Sequence, residues 1–173
     1  MKVKDLIGGV LVLALCGCGT SYCWRPTTPE GMRTVSVPTF RNESDVVEIG
    51  AVAARQLLRE FQREGTFRIR ANGEAALEVQ GTIKSASPMM SAYDRRSRAR
   101  TAAYDCTAEA EVSVVDKRSC KVLIDNRIYR ASTTMTAGQD RTSAMRDASG
   151  RLMDDLARQV VDDVVGLKWQ EEK

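Results

Sequence analysis

From Cys106 to Val114 the chain alternates without a break. Cys106, Ala108, Ala110, Val112 and Val114 are apolar, while Thr107, Glu109, Glu111 and Ser113 between them are polar. Successive side chains of a strand point to opposite faces, so this stretch reads as a strand with one face buried and the other wet. A helix would scatter the same residues around its circumference. The same period recurs in Leu77, Val79, Gly81 and Ile83, set against Glu78, Gln80, Thr82 and Lys84. Asp116 to Ser119 reads as a turn, and Cys120, Val122, Ile124 and Ile128 are expected on one face of the return strand. Arg33 to Val37 alternates and stops at Pro38, and Thr66 to Arg70 is a further short candidate. The stretch Ser85 to Arg100 reads as a loop.

A sheet buried on one side needs a cover, and two segments can supply it. Ser44 or Asp45 offers an N-cap, with Glu48 at capping-box distance from Asp45. Val47, Ala51, Ala54, Leu57, Leu58 and Phe61 then follow at helical spacing, and Gly65 supplies a C-cap. A second helix is expected from Thr142 to Val165, with Met145, Ala148, Leu152, Leu156, Val160 and Val164 as its apolar stripe and Gly166 as its end. Aromatic residues make up only 5% of the chain, so the core must rest on aliphatic side chains. The expected fold class is α+β: one mostly antiparallel sheet of four or five strands with two amphipathic helices packed on one face.

The N-terminus carries a different signal. Lys2 and Lys4 precede the apolar run Leu6 to Leu15, which as a helix would reach about 15 Å against the roughly 30 Å of a bilayer core. That is too short to span and suits a secretory signal. Leu15-Cys16-Gly17-Cys18 then has the form of a lipoprotein signal in which Cys18 takes the lipid, with Leu15 at minus three and Gly17 at minus one. An ordinary secretory cleavage site is the other reading. The expected organisation is a signal peptide over 1–17, a lipidated tether over 18–31, a single α+β domain over 32–167 and a polar tail over 168–173. Gly19 after Cys18 is compatible with delivery to the outer membrane.

The chain has 26 basic and 23 acidic side chains; losing Lys2, Lys4 and Asp5 with the signal leaves 24 against 22. That near-balance argues against nucleic acid as a partner. Cys23, Cys106 and Cys120 would remain, an odd number, so at least one stays free or pairs between chains. In the expected hairpin Cys106 and Cys120 are on the order of 30 Å apart at about 3.3 Å per residue. They should not bridge, and both read as small core residues.

Histidine is absent, and no nucleophile elbow or phosphate-binding loop occurs. Asp154 and Asp155 stand about 12 Å along a helix from Asp162 and Asp163, too far for one ion. With Arg151 and Arg158 interleaved they read as an ion-paired face. No catalytic residue, metal or cofactor is expected, and the chain does not read as an enzyme. The distinctive polar stretch is Tyr93 to Arg100, with Arg95, Arg96, Arg98 and Arg100 in six positions. It is either a solvated turn or a recognition element for an anionic partner, since guanidinium forks bind phosphate and carboxylate.

Several stretches in order resemble the lipopolysaccharide-assembly lipoprotein family LptE. They are Val35-Ser36-Val37-Pro38-Thr39-Phe40-Arg41-Asn42, then Ala76 to Ile83, Ser87-Pro88, Ala92-Tyr93-Asp94, Ala103-Tyr104 and Leu152 to Val161. Two places depart from that pattern: the extra residues Met89 to Ser91, and a hairpin turn without glycine at Lys117-Arg118-Ser119-Cys120. The resemblance implies two helices on a four-stranded sheet. It also implies an outer-membrane lipoprotein that faces the periplasm, plugs and helps assemble an LptD-like β-barrel translocon, and contacts lipopolysaccharide. A direct lipopolysaccharide contact by Arg95, Arg96, Arg98 and Arg100 is an expectation from charge. The opening motif is similar to those of other envelope lipoproteins too, so a regulator that docks on a peptidoglycan synthase or another secretion component is the competing reading. The short stretch between Cys18 and the first strand, about a dozen residues, counts against it.

Overall fold

The computed structural model describes residues 28–93, 101–136, 141–167 and residue 169. A 3-10 turn, Glu30–Met32, leads into β1 (Thr34–Ser36) and β2 (Arg41–Asn42). Helix α1 (Ile49–Glu64) and β3 (Arg68–Ile69) precede three long strands, β4 (Leu77–Tyr93), β5 (Thr101–Asp116) and β6 (Lys121–Thr136), and α2 (Arg141–Val165) follows. The six strands form one sheet in the order β3-β1-β4-β5-β6, with β2 also paired to β4. The fold is α+β, as expected, with two differences of detail. The described residues form six strands, and the sheet is mixed: β4–β5 and β5–β6 are antiparallel, while β1–β3, β1–β4 and β2–β4 are parallel. The parallel pairs are two residues long each, too brief to leave a hydrophobic run of their own in the sequence.

The alternation in β5 holds throughout. Cys106, Ala108, Ala110, Val112 and Val114 are all buried in the same core as α1 and α2. Every residue expected in the α2 stripe is buried as well. Cys106 and Cys120 are both free thiols, as their places in the hairpin require.

Four local expectations are overturned. Pro88, Met89, Met90 and Ser91 belong to β4; the first three pair with β5, and register shifts between Met90, Ala92 and Tyr93 leave Ser91 unpaired and absorb the extra length within the strand. Among the described residues β4 is paired only to β5 beyond Ile83, and proline is tolerated there because no second ladder of those residues needs its missing N–H. In β6, the register slips between the partners of Val112, Val114 and Val115, and Asn126 takes φ 42. A bulge changes which face the following residues point to. Ile128 is therefore exposed and Tyr129 and Ala131 are buried in its place, while Val122 is exposed before the slip. Cys120 is not a core residue: it sits in the turn, exposed, at φ 55. Finally, α1 begins at Ile49 behind Glu48 at φ 63, with no side-chain cap. Asn42 has claimed the preceding loop, its Oδ1 accepting from the Ser44 amide and hydroxyl and its Nδ2 donating to the Val46 carbonyl. The helix thus buries Ile49, Ala53, Ala54, Leu57 and Phe61, and Val47 stays in solvent. Gly65 caps the far end in the left-handed region, its N–H donating to Phe61 O at 3.2 Å.

One aromatic side chain fastens the layers together. Phe40, from the link between β1 and β2, is buried, and its ring lies over Gly81 of β4 while its carbonyl abuts Gly50 of α1. A Cβ at either glycine would overlap Phe40. The remaining space beside the ring is a cavity of about 10 Å³ lined by apolar side chains of both helices and the sheet, so the seat is nearly filled. Phe40→Ala is expected to destabilise the protein by about 3–5 kcal/mol. Gly81→Ala should cost about 1–3 kcal/mol by overpacking. Urea unfolding checks both, and a Gly81→Ala midpoint equal to the wild type would mean the ring is not pinned there.

Candidate functional site

Both helices lie on one side of the sheet, which leaves the other side open. Glu78, Gln80, Thr82, Ser85 and Ser87 of β4, Asp105, Thr107, Glu109, Glu111 and Ser113 of β5, and Ile128, Arg130, Ser132 and Thr134 of β6 share that open face through the ladder. Near β2 it dips into a groove of about 410 Å³ between Thr39, Arg41, Gln80, Thr82, Ser113 and Asn126. Hydroxyls, amides and carboxylates dominate it, with Met89 and Ile128 as isolated exposed apolar side chains.

Cations on this face are engaged by its own acids. Lys84 lies 3.0 Å from Glu43 and 3.7 Å from Glu111, and those carboxylates push its pKa up. Arg130 meets Glu109 at 2.7 Å, and the Thr134 hydroxyl donates to Asp105 at 2.7 Å. At the lower end Glu78 is nearly covered, accepts from Gln80 Nε2 and faces Lys117 Nζ at 3.0 Å. Ser113 Oγ donates to Asn126 Oδ1 and accepts from the Asn126 amide, both at 3.0 Å, which fixes the β6 bulge at the groove's rim. Such a face can offer hydrogen bonds to a polar surface. Its internal pairing makes it a poor trap for a phosphate, because each guanidinium or ammonium would first have to leave a carboxylate.

The acidic pairs of α2 divide their labour. Arg158 bonds Asp154 and lies 3.6 Å from Asp155, as the helical spacing predicts. Asp163 instead turns to the sheet, accepting from the Tyr129 hydroxyl at 2.8 Å and pairing with Arg127 at 3.0 Å. Burial first, then that hydrogen bond and the Asp163 charge, push the Tyr129 pKa up. Among the described residues no group of three or more His, Cys, Asp or Glu side chains is placed to hold a metal ion, and no helix is long and apolar enough to cross a membrane.

The residues singled out from sequence fall elsewhere. Cys18 lies outside the described residues, and so do Arg95, Arg96, Arg98 and Arg100. Their flanks are described: Tyr93 pairs with Thr101, so the arginine segment connects the ends of β4 and β5. Two features of the open face escaped the sequence reading. Glu78 looked like any outward residue of an alternating strand, because Lys117 is distant along the chain. Asn126 did leave a signal, since Asp125-Asn126 interrupts an apolar alternation where a bulge is the usual cause.

A family model for lipopolysaccharide assembly, LptE, matches residues 32–164. No curated protein matches the sequence. Among solved structures, a hypothetical protein from Chlamydia trachomatis shares 14% identity at a TM-score of 0.55, over 78% of this chain and 96% of that one. A protein from Xanthomonas campestris shares 8% identity at a TM-score of 0.54, over 82% of this chain and 88% of that one. At these identities the two structures establish the shared fold and nothing more.

Glu78 gives this face a measurable signature. Its carboxyl is held below the ordinary range, chiefly by the Gln80 amide and also by Lys117, against the opposing effect of burial. A carboxyl whose pKa is lower folded than unfolded adds stability above its unfolded pKa of about 4.3. That stability is lost as pH falls through the lowered folded value. Glu78→Gln should therefore be less stable than the wild type at neutral pH, and the gap should close below about pH 4. Unfolding at a series of pH values tests this; a gap that stays constant would remove the ionic role.

Proposed function

The chain belongs to the LptE lipopolysaccharide-assembly family, and from that membership we propose an outer-membrane lipoprotein that faces the periplasm, plugs and helps assemble an LptD-like β-barrel translocon, and contacts lipopolysaccharide. The observation that carries the plug reading is the uncovered polar face of β4, β5 and β6. A barrel lumen is polar, so a body seated inside it needs an outer surface that exchanges hydrogen bonds with water for hydrogen bonds with the wall. The strands suit such a seat in length, since 16 residues at about 3.3 Å each reach roughly 50 Å, against an apolar barrel band about 25 Å tall.

In this reading residues 1–17 are removed, Cys18 carries the lipid, residues 18–31 tether it, residues 32–167 form the single α+β domain and residues 168–173 are a polar tail. Stable anchoring needs two or more acyl chains, which lipoprotein modification supplies. The role is binding and assembly rather than catalysis. Because the face's own cations are held by carboxylates, the lipopolysaccharide contact is assigned to Arg95, Arg96, Arg98 and Arg100 at the β4–β5 connection.

Tagged protein captured from detergent-solubilised native membranes should bring down one large outer-membrane barrel in near-equal amount. A peptidoglycan synthase in its place, or no barrel, would reject the plug and favour the regulatory reading. Cys18→Ser should abolish incorporation of labelled fatty acid, and continued labelling would move the anchor elsewhere. Replacing the four arginines with serine should weaken lipopolysaccharide binding most at low salt, where screening is least; unchanged low-salt binding would rule out the contact.

A further inference from the structure

The turn between β3 and β4 carries a dipeptide that can rearrange its own backbone. We propose that Asn72 is a spontaneous deamidation site, converting through a succinimide with Gly73 to aspartate and isoaspartate and so adding a carboxylate to the groove on the open face. The proposal stands apart from the plug reading and does not depend on it.

Three observations converge on it. The first is the choice of asparagine. Of the chain's three, Asn42, Asn72 and Asn126, Asn72 alone precedes glycine. A side chain on the following residue shields the backbone nitrogen that must attack, and glycine has none. Glu43 and Arg127 follow the other two. Their amides are also occupied: Asn42 holds Ser44 and Val46, and Asn126 holds Ser113 and Asp125. The Asn72 side chain has no hydrogen bond among the described residues.

The second observation is the turn itself. Ala71, Asn72, Gly73 and Glu74 are all exposed, and the turn is closed by the Glu74 amide donating to the Ala71 carbonyl at 3.1 Å. Gly73 stands third at φ 94, the place a type II turn gives to glycine. Its N–H donates to no acceptor among the described residues. No heavy atom lies within 4 Å of the point where a Cβ would sit on Gly73. An exposed tip of this kind can bring the Asn72 side-chain carbonyl onto the Gly73 nitrogen without displacing a packed neighbour. The third observation is place. Asn72 lines the groove of about 410 Å³ on the open face, whose charged lining is otherwise Arg41, Glu78 and Glu111.

Water is the co-reactant. Hydroxide removes the Gly73 amide proton, and the nitrogen attacks the side-chain carbonyl carbon of Asn72. The bond from that carbon to the side-chain nitrogen breaks, and the nitrogen takes a proton and departs as ammonia, leaving the succinimide. Water then adds to one of the two imide carbonyls and the ring C–N bond at that carbonyl breaks. Opening at the side-chain carbonyl restores the main chain through Gly73 differently from opening at the main-chain carbonyl: the second gives aspartate's isomer only when the chain continues through Cβ and Cγ. The net change is one water in and one ammonia out, with nothing oxidised or reduced. Either product is a carboxylate, ionised at neutral pH, beside Arg41 in the groove. The isoaspartyl form also lengthens the main chain between β3 and β4.

The test incubates the purified full-length protein at mildly alkaline pH, with circular dichroism confirming that it stays folded, and maps tryptic peptides by mass over time. Cleavage after Arg70 and Lys84 isolates Asn72 from the other two asparagines. The Ala71–Lys84 peptide is expected to convert from amide to acid, as aspartate and isoaspartate together, at a rate proportional to hydroxide concentration. The peptides holding Asn42 and Asn126 should stay as amides over the same period and serve as internal controls. Gly73→Ala should slow the conversion several-fold. Asn72→Gln keeps the glycine at φ 94 and should abolish both products, so the proposal remains testable where the alanine variant fails to fold. Retention of the Asn72 amide in the folded protein, while a urea-unfolded sample converts, would overturn the proposal by showing that the turn holds the two groups apart. Equal conversion at all three asparagines, or an acid product free of isoaspartate, would overturn it as well.

Discussion

The buried apolar side chains of the long strands all lie on one side of the sheet. The helices α1 and α2 both lie on that side, and the long strands β4, β5 and β6 bury alternate residues beneath them. This one-sidedness fixes the rest. A strand with period-two side chains cannot drift by one residue without moving its whole apolar set into water. Where β6 does slip, at Asn126, the burial pattern slips with it, and Tyr129 and Ala131 take the inward places that Ile128 would have held. The slip has a use. It brings the Tyr129 hydroxyl and Arg127 to Asp163 of α2, so the edge strand gains a polar fastening to the helix layer as well as an apolar one.

Phe40 does for the short strands what alternation does for the long ones. β1, β2 and β3 pair over two residues at each contact, too few to hold themselves in place. The Phe40 residue, its ring set against Gly81 and its carbonyl against Gly50, ties the β1–β2 connection to both layers at once. The stretch Val35 to Asn42 therefore has a structural job at each end, with Val35 in the core and Asn42 organising the loop before α1.

The same asymmetry shapes the functional reading. A face of hydroxyls, amides and self-paired ions costs little to leave in water and little to lay against another polar wall. A dry protein interface would demand an apolar centre, which this face does not have. The opposite behaviour belongs to the ends of the long sheet. One carries the connection that holds the four arginines, and the other carries the turn with Arg118 and Cys120, against which the N-terminal segment enters.

The sequence by itself determined the layer plan. Unbroken alternation in β5 and the 3.6-residue stripe in α2 each required a one-sided partner, and local periodicity is enough to say so. It also carried the order of motifs that marks the family and the short apolar run ahead of Cys18. Tertiary structure decided what depends on neighbours distant in the chain. Pro88 sits in a strand where β4 has no second neighbour among the described residues, and Ser-Pro alone reads as a loop. Val47 is exposed because Asn42 spends its side chain on the loop and delays α1 to Ile49. The burial of Glu78 against Lys117, and the approach of Gly31 to the turn that holds Cys120, join residues far apart in the chain. Periodicity reports the direction in which a side chain points; only the packed fold reports what it meets there.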